Sequence, residues 1–367
     1  MSFYNFRSTN QVRKPLADKT NARAGAPFGG PVKRGAAALG AGAAATLSTA
    51  NRRTTRSVAN DGGVTAKRTR DASADDESDT LHTKKMSLEP MELEYDDIDL
   101  FDTEDAQCAV EYVQDIFAYL RAKEITESVE PTYMDNQVDV NKNMRGVLID
   151  WMVEVCQKFR LLSETMFLSV HIVDKYMSTQ QVPRQRLQLV GITAMLVASK
   201  VEEICTPLVS DFVYVCDYSF SAEQILSLEV DMLTALGFNL TPATPLHFVR
   251  RFSKAARSDS RTHTLSKYIT ELALIEYAML QFKPSLIAAA AVYIARAMVG
   301  RTPLWNDTLR YYTHFNESDL FDCVRTLNAL VNKQFASNNK LQAIRNKYAS
   351  SKLLSVAQIP AKPELPM

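Results

Sequence analysis

Along two thirds of this chain the apolar positions repeat with the period of an α-helix, and one stretch does so most densely. Met144, Val147, Leu148, Trp151 and Val155 fall at i, i+3, i+4, i+7 and i+11, a single helical face. Leu148, Met152 and Val155 form a second, overlapping apolar line. A helix apolar on two sides is either central to a core, or buried on one side and offering the other to a partner. The same period predicts helices on both sides of it. A leading helix begins near Asp105 and carries Tyr112, Ile116, Tyr119 and Leu120 on one face. After Pro131 and an irregular link to Asn143, the dense stretch runs to about Phe159. Ser163, with Glu164 in the first turn, caps a third helix that extends past Met177 and is broken by Pro183. Arg184 to Glu203 is apolar almost all round and rich in small residues, so other helices must surround it. Pro207 opens a short helix to about Val215, and Ser221 caps another that Gly237 stops after Leu236.

The pattern then recurs. Thr244 to Ala255 is a helix with Pro245 in its first turn, and Thr264 to Gln281 is amphipathic. Pro284 starts a second helix apolar nearly all round, Ser285 to Val299, with Ala288, Ala289, Ala290, Ala291 and Ala295. A short helix around Asp307 to Tyr312 and a last one capped by Asn316 complete the set. Two units of about a hundred residues, each with a wrapped third helix, predict an internal duplication in an all-α fold.

Composition places this helical region inside a longer chain. Of 367 residues, the first 70 hold 13 Lys and Arg against 2 Asp, whereas Asp71 to Asp105 is strongly acidic. Neither block has the apolar content for a core, so residues 1–105 are expected to be a disordered tail. The acidic end of it, Leu88 to Asp105, mixes carboxylates with Leu, Met, Ile and Phe, and either docks on something or simply approaches the fold. The five cysteines include no close-spaced ligand pair and read as small buried residues of a reducing compartment; no metal and no cofactor are expected. The longest apolar run, Leu286 to Val299, is too short to span a bilayer, and no membrane partner is expected. The five histidines are scattered, and there is no His-Glu-x-x-His, phosphate loop or nucleophile elbow, so an enzyme is not expected.

The motifs give the region a family. Met144-Arg145-Gly146-Val147-Leu148-Ile149-Asp150-Trp151 resembles the signature that opens the first cyclin box. Leu187-Gln188-Leu189-Val190-Gly191 and Lys200-Val201-Glu202-Glu203 resemble the start and end of that box's third helix. Leu246 to Ala255 looks like the opening of the second box of B-type cyclins rather than A-type ones. In the tail, Arg13-Lys14-Pro15-Leu16-Ala17-Asp18-Lys19-Thr20-Asn21 is similar to a destruction box, with Arg13, Leu16 and Asn21 as its fixed letters. The resemblance to the G2/mitotic B-type cyclins implies a tail (1–105) with destruction box (13–21) and basic clusters, a leading helix plus first five-helix box (106–240), a second five-helix box (241–336) and a C-terminal extension (337–367).

It also implies roles. A cyclin is a non-catalytic subunit that binds and activates a cyclin-dependent protein kinase, here for the G2/M transition, and is destroyed through a ubiquitin ligase at mitotic exit. Lys200 and Glu229 are the expected polar anchors on the kinase. Ile116, Tyr119, Val197, Val201, Leu233, Phe238 and Leu240 stand where the family packs apolar groups on it. Met144, Val147, Leu148, Trp151, Glu154, Arg184 and Gln188 match the patch on which Arg-x-Leu substrates dock. Arg145 and Asp174 match an internal ion pair. Gly146 replaces the usual Ala, at a helix cost of about 1 kcal/mol unless close packing requires it. Val201 replaces the usual aromatic. The basic clusters Arg52-Arg53-Arg56 and Lys67-Arg68-Arg70 suit import, giving an expected location in nucleus and cytoplasm, with no nucleic-acid partner. The competing readings are an A-type or S-phase cyclin and a cyclin-fold transcription factor similar to transcription factor IIB; the latter carries a zinc ribbon, and no Cys precedes Cys108 here.

Overall fold

The computed structural model describes residues 95–336 and 338–365. The destruction-box residues Arg13, Leu16 and Asn21 and both basic clusters lie outside them. Every regular element among the described residues is helical. A leading helix, α1 (Val113–Thr126), precedes five helices of a first lobe: α2 (Lys142–Phe159), α3 (Ser163–Thr179), α4 (Leu187–Glu202), α5 (Val209–Val215) and α6 (Ala222–Ala235). The second lobe repeats the arrangement with α7 (Pro245–Ala255), α8 (Ser260–Ile275), α9 (Pro284–Met298), α10 (Asp307–Thr313) and α11 (Glu317–Lys333). A short α12 (Ala343–Tyr348) follows.

The two helices read as apolar all round are the lobe centres. α4 packs on α2, α3 and α6, and α9 on α7, α8 and α11. Small residues permit the close approach. A Cβ on Gly191 of α4 would stand 2.8 Å from Leu148 Cδ1, so glycine lets α2 come this near. Gly146 is different. A Cβ there would meet Ile275 O and Leu341 Cδ1 at 3.5 Å, an ordinary contact, so packing does not demand glycine and its helix cost of about 1 kcal/mol stands.

Several boundaries depart from expectation. The leading helix starts at Val113, not near Asp105; two 3₁₀ turns, Ala106–Cys108 and Val110–Tyr112, come first, separated by Ala109 at φ 45°. Ser163 is the first residue of α3 rather than its cap. Leu162 takes the cap position, and Glu203 at the end of α4 fixes it there: its Oε1 accepts from Leu162 N at 2.7 Å and Thr165 Oγ1 at 2.5 Å. α8 ends at Ile275, short of Gln281, where the chain turns to bury Tyr277, whose hydroxyl accepts from Met134 N at 2.9 Å.

The tail boundary also moves. Residues 95–105 are seated on the second lobe. Asp99 is buried and takes Arg251 Nη1 and Nη2 at 2.5 and 2.6 Å and Lys254 Nζ at 2.8 Å. Tyr95 stacks on Tyr311 with centroids 3.6 Å apart. Ile98 N donates to the Tyr312 hydroxyl. The Arg251 guanidinium lies between the rings of Phe117 and Tyr312, at 5.4 and 4.8 Å. We call residues 95–102 the strap. α1 also serves the second lobe. Arg121 donates to Tyr312 O and Thr313 O at the C-terminus of α10, and Glu124 accepts from Ser285 N and Oγ at the N-terminus of α9. Each charge has the sign its helix end attracts. The C-terminal extension is folded too: α12 lies on α2 and α8, with Ile344, Tyr348, Val356 and Ala357 buried. The cysteines are free, but Cys205 is exposed rather than buried.

Candidate functional site

The site begins where α4 ends. Lys200 occupies its last turn, and Glu229 stands midway along α6, which packs alongside. Lys200 Nζ and Glu229 Oε1 are 2.5 Å apart, with side chains 46% and 11% exposed. Lys200 is the exposed partner, whereas Glu229 is buried in α6. The contact holds the Lys200 ammonium at the surface where α4 ends. Val201 follows Lys200 and is exposed, as are Ile116 and Tyr119 on α1; Leu233 and Leu240 are half-buried. Val197, read as part of this surface, is 2% exposed and belongs to the core. It sits on the inward side of a helix wrapped by its neighbours.

Phe238 completes the group. Gly237 N donates to Thr234 O and Phe238 N to Leu233 O, a Schellman turn closing α6. Gly237 and Phe238 both take left-handed backbone, at φ 56° and 59°. The turn therefore lifts the Phe238 ring into solvent, 71% exposed. Two further apolar groups were not singled out from sequence. Ile204 is wholly exposed just past the α4 terminus, and Val230 is exposed beside Glu229. The signal was present for Val230: Leu226, Glu229, Val230 and Leu233 fall at i, i+3, i+4 and i+7 on one face of α6.

The second candidate surface is the outer face of α2. Val147 and Glu154 are exposed, Met144 and Trp151 half-buried; Arg184 is exposed and Gln188 half-buried at the entry to α4. Leu148 is 0% exposed and must be removed from this set, because Gly191 draws it into the α2–α4 contact. α2 is thus both things its sequence allowed, core on one side and an apolar-plus-acid face on the other.

Between these surfaces lies the predicted ion pair. Arg145 Nε and Nη2 meet Asp174 Oδ1 and Oδ2 at 2.6 and 2.7 Å, joining α2 to α3. The same guanidinium donates from Nη1 to Leu274 O at 3.0 Å and Ile275 O at 3.3 Å, so it also ties the first lobe to the end of α8. Tyr133 donates to Asp174 Oδ1 at 2.8 Å. Burial alone would pull the Arg145 proton affinity down, but the Asp174 carboxylate outweighs it and raises it. The role is structural, and none of these atoms is offered to a partner. Among the described residues, no group of three or more His, Cys, Asp or Glu could hold a metal ion, and no helix is long and apolar enough to cross a membrane.

Comparison with known proteins agrees with this architecture. The family profile for the cyclin N-terminal domain matches residues 115–241, and that for the cyclin C-terminal domain matches 243–362. The chain is 47% identical over 287 residues to G2/mitotic-specific cyclin-B of Dictyostelium discoideum, covering 78% of this chain and 65% of that protein's length. It is 41% identical over 262 residues to G2/mitotic-specific cyclin-2 of Medicago sativa, covering 71% of this chain and 79% of that protein. The crystal structure of a viral cyclin from herpesvirus saimiri superposes with a TM-score of 0.54 at 21% identity, over 59% of this chain and 96% of that one, and shares the fold. The transcription-factor reading is set aside by these matches. Tandem cyclin domains across both lobes, with G2/mitotic-specific relatives over most of the folded region, show that this chain belongs to the cyclin family, among its B-type members.

Proposed function

We propose that this chain is the non-catalytic regulatory subunit of a cyclin-dependent protein kinase, which it binds and activates to drive the G2/M transition. The observation that carries the reading is the Lys200–Glu229 pair set among displayed apolar groups, above all Phe238 on its left-handed turn. Exposing that ring costs free energy that only a partner returns. The relatives' G2/mitotic names support the timing. The α2 face fits an Arg-x-Leu segment, its leucine against Val147 and Trp151 and its arginine on Glu154. The destruction-box letters Arg13, Leu16 and Asn21 support ubiquitin-dependent removal at mitotic exit, and the basic clusters support a location in nucleus as well as cytoplasm.

The test is a histone-kinase assay with the full chain added to a purified cyclin-dependent kinase catalytic subunit. Lys200→Ala with Glu229→Ala should lower activation on the order of tenfold or more with Tm unchanged. Normal activation by the double variant would refute the reading. In the same assay, Trp151→Ala should weaken Arg-x-Leu substrates and spare a histone peptide; equal losses would make Trp151 a core residue. In dividing cells, Arg13→Ala with Leu16→Ala should persist through mitotic exit, and an unchanged half-life would show that the motif is idle. Import is tested by replacing the six basic residues Arg52, Arg53, Arg56, Lys67, Arg68 and Arg70; an unaltered nuclear fraction would remove that role.

A further inference from the structure

A cavity of about 320 Å³ lies where the two lobes meet. Its walls come from α1, α3, the end of α8, the start of α9 and the inter-lobe link at Pro242 to Pro245. Phe167, Val170, Ala273, Leu280 and Ile287 make it largely apolar. The charged and polar wall groups are mostly engaged with partners of their own. Arg145 and Asp174 hold each other, Glu124 accepts twice from Ser285, and Glu127 lies 3.8 Å from Lys123. Thr270 donates to Ser266 O, and Lys283 is exposed to solvent. His171 is different. Its ring lines the cavity from α3, and no described group bonds it. Burial holds the imidazole neutral by lowering its pKa to about 4.

Water is a poor occupant of such a space. Waters against the walls made by Phe167, Val170, Ala273, Leu280 and Ile287 would find few polar partners there. An anion would face the carboxylates of Glu124, Glu127 and Asp174. A cation would find Asp174 neutralised by Arg145, Glu127 beside Lys123, and both Glu124 oxygens already accepting from Ser285, which leaves little to offset its desolvation. The size and the position between two domains suit a small organic ligand. We infer that this cavity is a binding site for an uncharged, mostly apolar small molecule that carries one hydroxyl or carbonyl for the His171 ring. Such a ligand touches both lobes and the link between them, so binding strengthens their attachment. This site is separate from the kinase and substrate surfaces and stands whether or not those readings hold.

The probe is 2-naphthol, added to the full-length chain. It should bind saturably with one site, and at ten times its Kd raise Tm by about 3 °C. Ala273→Leu, which fills the cavity, should abolish the shift. His171→Phe should bind naphthalene and 2-naphthol equally, whereas the unaltered chain prefers the hydroxyl compound. Should either variant fail to fold, intermolecular NOEs from 2-naphthol to the methyl groups of Ile287 and Met279 decide the matter in the unaltered chain. A shift that does not saturate, a shift that survives Ala273→Leu, or the absence of those NOEs overturns the inference.

Discussion

Phe238 carries two costs at one position. A phenylalanine in left-handed backbone is strained by about 1 kcal/mol or more, and its ring stands in water. The Schellman hydrogen bonds hold the backbone in that conformation, but the ring stays in water, which is why the proposed kinase surface rests on it as much as on the charged pair. Asp150 presents a different imbalance. It is half-buried on α2, and burial raises its carboxyl to about 6, even though Ala343 N donates to Oδ1 at 3.0 Å. The folded pKa is above the ordinary one, so the stability Asp150 contributes is complete below the ordinary carboxylate range and is lost as pH rises through about 6. Asp150→Asn keeps an acceptor for Ala343 and removes the charge. It should therefore stabilise the chain at pH 7.5 by roughly 1–3 kcal/mol, with the gain shrinking toward pH 4. Urea midpoints at the two pH values check this; an equal effect at both would mean that titration plays no part.

At the scale of elements, legibility followed locality. α4 and α9 were readable because their own letters announce burial on every side. The caps of α6 and α11 were readable because Ser221 and Asn316 lie next to the groups they satisfy. The start of α3 was misplaced because the carboxylate that fixes its cap residue Leu162 belongs to Glu203, 41 residues away. The strap, within a stretch expected to be disordered, was left open between docking and a mere approach to the fold, and it docks. Its carboxylates look like a solvated acidic run, and the cations that bury Asp99 lie 152 and 155 residues away. Within the site, the polar pair and the exposed aromatics followed from family motifs, whereas Val197 and Leu148 could be assigned to the core only once neighbouring helices were placed. Burial opposes ionisation of Asp99, but hydrogen bonds from Arg251 and Lys254 outweigh it and hold the carboxyl below its usual value. Its contribution is thus present above the ordinary carboxylate range and lost as pH falls through it. Asp99→Ala should cost about 3 kcal/mol, because it strands Arg251 between two rings. Asp96→Ala, which breaks only the exposed pair with Arg257, should cost less than 1 kcal/mol. Chemical denaturation at neutral pH checks the contrast; similar losses would show that the strap is held by its aromatic residues alone.

At the scale of the whole molecule, the lobes are not beads on a link. Arg145 reaches from α2 to the carbonyls that end α8. Tyr277 of the second lobe accepts from Met134 of the first. The C-terminal extension spans both, with Ala343 on Asp150 and with Lys347 and Tyr348 on Glu271 of α8. Packing crosses the division into lobes: α1 holds the ends of α10 and α9, and α12 lies on both α2 and α8. Both ends of the folded region are stitched across the duplication, so each lobe depends on residues outside its own repeat.

The strap has one more implication, and it is mechanical. A motor that threads this chain from its N-terminal side meets, among the described residues, the Tyr95–Tyr311 stack and then the buried Asp99–Arg251 clasp. Traction there runs first into α7 and α10, and next, through Arg121 and Glu124 of α1, into the C-terminus of α10 and the N-terminus of α9. The second lobe would thus yield ahead of the first, and the lobe that carries Lys200 and Glu229 would be the last to let go of whatever it holds.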